Sequence, residues 1–201
     1  MRASKLSRKP LTIILLGKSG SGKTTHGKFL AKAFGLEYMG SGTLLRQFAA
    51  KKGFSSRKLS KIMDKGEWVP TFLVSNLWFR VFEKYHDKGI LLDGSPRKIL
   101  EANIVDEALE WYERGNILVV LADVKRDLAI RRILRGHRDR SDDTMKAIRE
   151  RLTLFDREVM PVVRHYAKKG LLLKVDTSGS PDEVNKKLFK ILSSHFGLRN
   201  K

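Results

Sequence analysis

The chain has 201 residues, no cysteine, and 41 lysines and arginines against 22 acids, a formal net charge of +19. Hydrophobic residues make up 41% of it, which excludes the low-hydrophobicity regime of disordered chains and leaves room for one folded core. The missing cysteines exclude a disulfide framework, a thiolate zinc site and a cysteine nucleophile, and they fit a cytoplasmic protein.

The basic stretch 1–10 reads as a solvated tail, 11–197 as one domain and 198–201 as a short C-terminal tail. Leu11 and the run Ile13–Leu16 fall far short of the ~20 apolar residues that cross a bilayer, so no membrane partner is expected. Apolar runs then alternate with amphipathic stretches, the α/β pattern. A strand is predicted over Thr12–Leu16 and a helix over Lys23–Phe34; a weak strand at Glu37–Met39 leads into helices over Thr43–Lys52, Leu59–Lys65 and Thr71–Asp87. Strand Ile90–Leu92, helix Glu101–Arg114, strand Ile117–Leu121 and helix Arg126–Arg135 follow. A long helix over Thr144–Lys169, strand Leu171–Val175 and helix Pro181–Phe196 complete the pattern. Several strands are apolar throughout, as expected where a parallel sheet is covered on both faces. Pro161 should bend or break the long helix, and Pro181 followed by Asp182 and Glu183 marks a helix start. Trp68, Trp78 and Trp111 fall in helical apolar patterns and are expected in the core.

The strongest chemical signal is Gly17-Lys18-Ser19-Gly20-Ser21-Gly22-Lys23-Thr24, which matches GxxxxGK[ST] between an apolar strand and an amphipathic helix. Glycines let successive backbone N–H groups turn toward phosphate oxygens, and the helix N-terminus adds its dipole. Lys23 would bridge terminal phosphates, and Thr24 would offer its hydroxyl to Mg²⁺. Asp93, ending the strand Ile90-Leu91-Leu92, is either the carboxylate of that metal's shell or a turn aspartate before Gly94.

A phosphate loop alone leaves GTPases, motor ATPases and small-molecule kinases open. Four further segments narrow this: Gly42-Thr43-Leu44-Leu45-Arg46, Met63-Asp64-Lys65-Gly66, Asp93-Gly94-Ser95-Pro96-Arg97, and Arg140-Ser141-Asp142-Asp143 with Arg151 beyond it. In this order, from about Leu11 to Phe196, they resemble the adenylate kinase family of nucleoside monophosphate kinases. The resemblance implies a P-loop NTPase fold with a five-stranded parallel sheet flanked by helices, a helical monophosphate-binding region at about 41–85 and a short lid at about 135–143. It implies reversible transfer of the ATP γ-phosphoryl group to a nucleoside monophosphate, most commonly AMP, with Mg²⁺. No cysteine or histidine cluster suggests a metal in the lid. A monomer is expected.

Carried over by position, ATP would meet Gly17, Ser19, Gly20, Ser21, Gly22, Lys23, Thr24, Thr25, Arg132, Arg135 and Gly179. AMP would meet Ser41, Arg46, the backbone of Glu67, Trp68 and Val69, and Gly94, Ser95, Arg97, Glu101, Arg140 and Arg151. The catalytic set implied is Lys23, Arg97, Arg132, Arg140 and Arg151, with Thr24 and Asp93 on the metal side. Such a set suffices because phosphoryl transfer asks mainly for positioning and for cations on the equatorial oxygens. Asp142 and Asp143 would orient the arginines. Arg132 and Arg135 have a second reading as solvated helix-face charges.

Departures from the family pattern include Lys18-Ser19 and Thr24-Thr25 in the loop, Thr43 for a usual Asp, and Ser95 for a usual Phe. Glu101 stands where the family carries a Gln that reads adenine. A carboxylate only accepts hydrogen bonds, whereas guanine offers two donors on that edge, so relaxed or shifted base selection toward GMP, CMP, UMP or a deoxynucleotide is an expectation.

A different class, an adenylate-kinase-like ATPase that binds RNA, is suggested by the net charge. No basic motif interleaved with aromatics of the RNA-recognition type supports it, and Arg46 and Arg97 remain in place. Arg2, Lys5, Arg8, Lys9, Arg199 and Lys201 lie at the termini, and Lys23 with the six arginines of the implied phosphate sites adds seven more cations. Thirteen of 41 cations thus have a local account, so nucleic acid is not an expected partner.

Overall fold

The computed structural model describes residues 9–64, 67–135 and 144–197. Among these, five strands form one parallel sheet in the order β2-β3-β1-β4-β5: β1 Leu11–Leu16, β2 Glu37–Gly40, β3 Ile90–Asp93, β4 Asn116–Asp123 and β5 Leu172–Asp176. The helices are α1 Lys23–Phe34, α2 Ser41–Ala49, α3 Phe54–Asp64, α4 Thr71–Lys84, α5 Ile99–Trp111, α6 Arg126–Arg135, α7 Met145–Leu154, α8 Met160–Lys168 and α9 Pro181–His195.

Alternation along β1 explains why its sequence is apolar throughout. Ile13 and Leu15 pack with Leu91, Leu118, Val120, Leu30 and Leu188 on one face, while Ile14 and Leu16 pack with Ile90, Leu92, Val119, Trp78 and Tyr166 on the other. Both faces are therefore dry, and each fully buried aliphatic side chain contributes ~1.5–3 kcal/mol. Because β1 pairs with β3 on one side and β4 on the other, the chain crosses the sheet centre after β3, on its way to β4, and the carboxyl ends of β1 and β3 open onto a crevice suited to ligands.

The long helix expected over Thr144–Lys169 is three segments: α7, a π-helical turn at Phe155–Val159, and α8. Pro161 lacks the N–H that would reach the Arg157 carbonyl, and its ring crowds that same carbonyl, so the ladder widens one turn upstream of the proline. The start of α9 is as expected, with Ser180 and Glu183 closing a reciprocal capping box that spans Pro181. Two tryptophan expectations are corrected. Trp78 is buried, but Trp111 is 80% exposed, because it follows Leu109 by two residues and so leaves the face carrying Ala102, Val105 and Leu109. Trp68 lies outside the helices, half-buried before α4. The expected lid, with Arg140, Asp142 and Asp143, lies outside the described residues, as do Lys65, Gly66 and most of the two tails.

Arg114 ties the edge opposite the crevice. The helix predicted to run to this residue ends at Trp111, and Glu113 adopts a left-handed φ of 51°, which turns Arg114 under the sheet. Its guanidinium donates to Thr12 Oγ1 at 2.6 Å and to the carbonyls of Tyr85, His86, Leu11 and Lys88. Burial pulls its pKa down to about 10, so it stays charged at physiological pH and every donor direction meets an oxygen. Arg114→Met should lower the unfolding free energy by at least ~3 kcal/mol because it strands buried acceptors. The expected signature is a lower urea midpoint at unchanged m-value.

Candidate active site

At the end of β1 the chain makes the turn that the glycine spacing predicts. Gly20 and Gly22 take φ of 81° and 84°, and a Cβ on Gly20 would lie 2.4 Å from the Ala129 carbonyl of α6. The loop thus lies directly on α6, which only glycine permits. Inside it, Ser21 N–H returns to the Lys18 carbonyl at 3.2 Å and Lys23 Nζ donates to the same carbonyl at 2.9 Å. From behind, the Thr177 hydroxyl shares its one proton between the Ser21 and Asp123 carbonyls, at 3.0 and 2.9 Å. Helix α1 starts at Lys23, so the N–H groups of its first turn face the loop's concavity.

Asp93 sits opposite, because the sheet register pairs it with Leu15 on β1 and Gly40 on β2. It is only 6% exposed, and one of its oxygens, Oδ2, accepts from Thr24 Oγ1 at 2.9 Å and from the Tyr38 hydroxyl at 2.5 Å. Of the two sequence readings of Asp93, this geometry favours the site carboxylate. Burial first, and then the bond to Asp93 with its negative charge, raise the Tyr38 pKa well above that of a free phenol, so the hydroxyl remains a donor. The sequence did not single out Tyr38. Its only mark there is an aromatic hydroxyl in a weak strand, and strand pairing alone brings it to the carboxylate. Thr24 and Asp93 offer hard oxygen ligands of the kind Mg²⁺ takes, with space for water, so the donor set fits that ion.

The other wall comes from α2 and the loop after β3. Ser41 Oγ donates to the Gly94 carbonyl at 3.0 Å, Arg97 Nε donates to the same carbonyl at 2.6 Å, and Arg46 reaches Thr43 Oγ1 at 3.3 Å. The Arg97 guanidinium lies 5.0 Å from the centroid of the Trp68 ring, a cation–π contact that restrains a long side chain.

Two joined clefts result. One of about 410 Å³ runs over the phosphate loop to Thr24, Thr25, Ser41, Arg46 and Asp93. A narrower one of about 130 Å³ runs from Gly17 to Glu67, Trp68 and Arg151. Ser19, Lys23, Gly94 and Arg97 line both.

Other expected residues lie elsewhere. Ser21, Val69 and Ser95 are buried and line neither cleft. Arg132 donates to the carbonyls of Thr177, Ser178 and Gly179 at 2.8, 3.1 and 2.9 Å, which joins it to Gly179 and away from the clefts. Arg135 is exposed at the end of α6. Glu101 is 3% exposed and lines neither cleft. Its Oε2 accepts the Arg97 backbone N–H at 2.7 Å and faces Ser95 Oγ at 3.4 Å, while the Trp78 indole donates to Ser95 at 2.7 Å. The carboxylate thus pins the loop that carries Arg97, and Ser95, placed where the family has Phe, supplies the hydroxyl that links it to α4. Nothing in the residue types alone announced that exchange.

Comparison with known proteins agrees with this architecture. The family model described as "Adenylate kinase" matches residues 15–171. Adenylate kinase 1 of Nostoc sp. is 33% identical over 183 residues, covering 90% of this chain and 98% of the relative. The adenylate kinase of Thermus thermophilus is 33% identical over 174 residues, 86% of this chain and 91% of the relative, and that of Stenotrophomonas maltophilia is 32% identical over 181 residues. By this match along most of its length, over a phosphate loop and arginine-lined clefts arranged on one parallel sheet, the chain belongs to the adenylate kinase family and is a phosphotransferase of that kind.

Proposed function

We propose that the chain catalyses reversible, Mg²⁺-dependent transfer of the γ-phosphoryl group of ATP to AMP, giving two ADP. The observation that supports this most is the shared boundary of the two clefts, where Lys23 and Arg97 lie together. The ATP phosphates rest on the loop N–H groups from Gly17 to Thr25, with Lys23 leaving the Lys18 carbonyl for the terminal phosphate. AMP enters between α2 and residues 67–69, its phosphate taken by Arg46 and Arg97, with Arg151 at the junction. Arg97 and Arg151 hold the two phosphates in line and spread cationic charge over the transferring group. Thr24 and Asp93 are the residues that would hold Mg²⁺, and the ion would supply charge neutralisation to the phosphates. Arg132 acts through the Thr177–Gly179 segment, and Arg140, with the lid at about 135–143, completes the ring on closure. The helical region 41–85 carries the acceptor side.

The base is read without Glu101, whose carboxylate is committed to the Arg97 N–H. That favours AMP, the substrate named for the family's relatives, over the shift toward guanine that the residue type alone suggested.

The direct test is coupled ADP formation with AMP, GMP, CMP and UMP as acceptors. Turnover should be strongest with AMP, and Arg97→Ala should lower its kcat/KM at least ~100-fold while leaving the KM for ATP unchanged. Absence of turnover with all four acceptors would reject the reading.

Glu101 yields a pH-dependent prediction. Burial is the largest influence on its carboxyl and raises the pKa, against the lowering by the Arg97 N–H and nearby cations. A carboxyl raised in the folded state contributes stability while protonated and loses it as pH climbs through the folded pKa. Glu101→Gln should therefore raise Tm at neutral pH, and the gain should vanish as pH falls below ~4. AMP turnover should change by no more than about threefold, whereas a tenfold change in AMP-to-GMP preference would return the carboxylate to base reading.

A further inference from the structure

Between α2, α4 and the edge strand β2 lies a third and larger opening, of about 680 Å³. Each helix turns a similar face to it. Leu44, Gln47 and Phe48 on α2, with Lys51 in the turn after it, follow a spacing of three and four residues, and Leu77, Arg80, Val81 and Lys84 repeat that spacing on α4. Lys51, Arg80 and Lys84 are exposed, and among the described residues none has a carboxylate at ion-pair distance. Among the described residues no acid lines the opening. None of these three cations belongs to the thirteen that the termini and the phosphate sites explain.

Apolar and aromatic side chains share the lining with these cations. Buried Met39 and Val81 and half-buried Leu44 and Leu77 line it together with Phe48, Tyr85 and Tyr38, and Lys84 Nζ lies 5.0 Å from the Tyr85 ring centroid. Three cations alone would suit any anion, but an opening this size falls in the range of small-molecule sites, ~300–1,000 Å³. Its apolar lining needs a planar or hydrocarbon moiety to cover it. We infer that this opening is a second binding site, for a phosphorylated small molecule that carries a planar ring, of the nucleotide kind.

The site is wired to the catalytic centre. Tyr38 lines the opening with its ring and holds Asp93 Oδ2 with its hydroxyl at 2.5 Å, and Gly40 and Thr43 line both this opening and the phosphate cleft. A ligand that displaces the Tyr38 ring alters a hydrogen bond on the metal-side carboxylate, so its occupancy changes the Mg²⁺ dependence of turnover. The coupling, and the blocking ligand used below, rest on the proposed kinase reaction.

The test titrates ATP, by calorimetry, into the full chain saturated with Mg²⁺ and a dinucleotide of two adenosines joined through five phosphates, which fills both substrate sites. One further ATP should bind per chain. Combined Lys51→Glu, Arg80→Glu and Lys84→Glu replacement should weaken this event at least ~30-fold and leave the dinucleotide affinity, which reports an intact fold, unchanged. Tyr38→Phe should keep the event but abolish its effect on the Mg²⁺ midpoint. No second event, a second event indifferent to the three replacements, or binding of a single-stranded oligonucleotide with none of ATP would overturn the site. If the dinucleotide does not bind, the proposed reaction falls. The site is then judged by ATP stoichiometry, where loss of one bound ATP in the triple variant supports it and unchanged stoichiometry rejects it.

Discussion

The hydrogen bond from Thr24 Oγ1 to Asp93 joins the first residues of α1 to the last residue of β3. It can form only because β1 and β3 are parallel neighbours in a register that sets Asp93 beside Leu15. In that register the phosphate loop and the carboxylate emerge at the same level of the sheet. A slip of one residue would turn Asp93 to the opposite face. The two dry faces of β1 hold the register in place, so the chemistry of the crevice depends on packing that never touches substrate. Tyr38 adds β2 to the junction, and the Ser41 and Arg97 contacts with the Gly94 carbonyl add α2 and the loop after β3.

Features whose cause is local were legible in the sequence. The phosphate loop needs glycines at fixed spacing, a parallel strand covered on both faces needs an uninterrupted apolar run, and Pro161 had to disturb its helix. The helix breaks at Phe155–Val159, ahead of the proline, because the lost hydrogen bond belongs to the carbonyl four residues back.

What escaped has its cause in tertiary contact. Tyr38 becomes a site residue only through strand pairing, and Trp111 is exposed because it lies off the α5 face that the core covers. Glu101 illustrates the limit most clearly: by residue type it was a candidate to read a base, yet its carboxylate is spent on the Arg97 N–H. Arg132 likewise meets backbone carbonyls at 177–179 rather than a cleft. In both cases a side chain fixes the position of the segment that presents another functional group. The net charge of +19 also divides by position: Lys23, Arg46, Arg97 and Arg151 line the two clefts, and three cations over the opening beside β2 have no carboxylate at ion-pair distance among the described residues.

The measurement that bears most directly on the Thr24–Asp93 junction is the Mg²⁺ dependence of ADP formation in Thr24→Val beside the wild-type chain. If the threonine hydroxyl and the carboxylate hold the metal together, the Mg²⁺ midpoint should rise at least ~10-fold while affinity for metal-free ATP, set by the loop N–H groups and Lys23, is unchanged. Superimposable Mg²⁺ curves for the two proteins would contradict it.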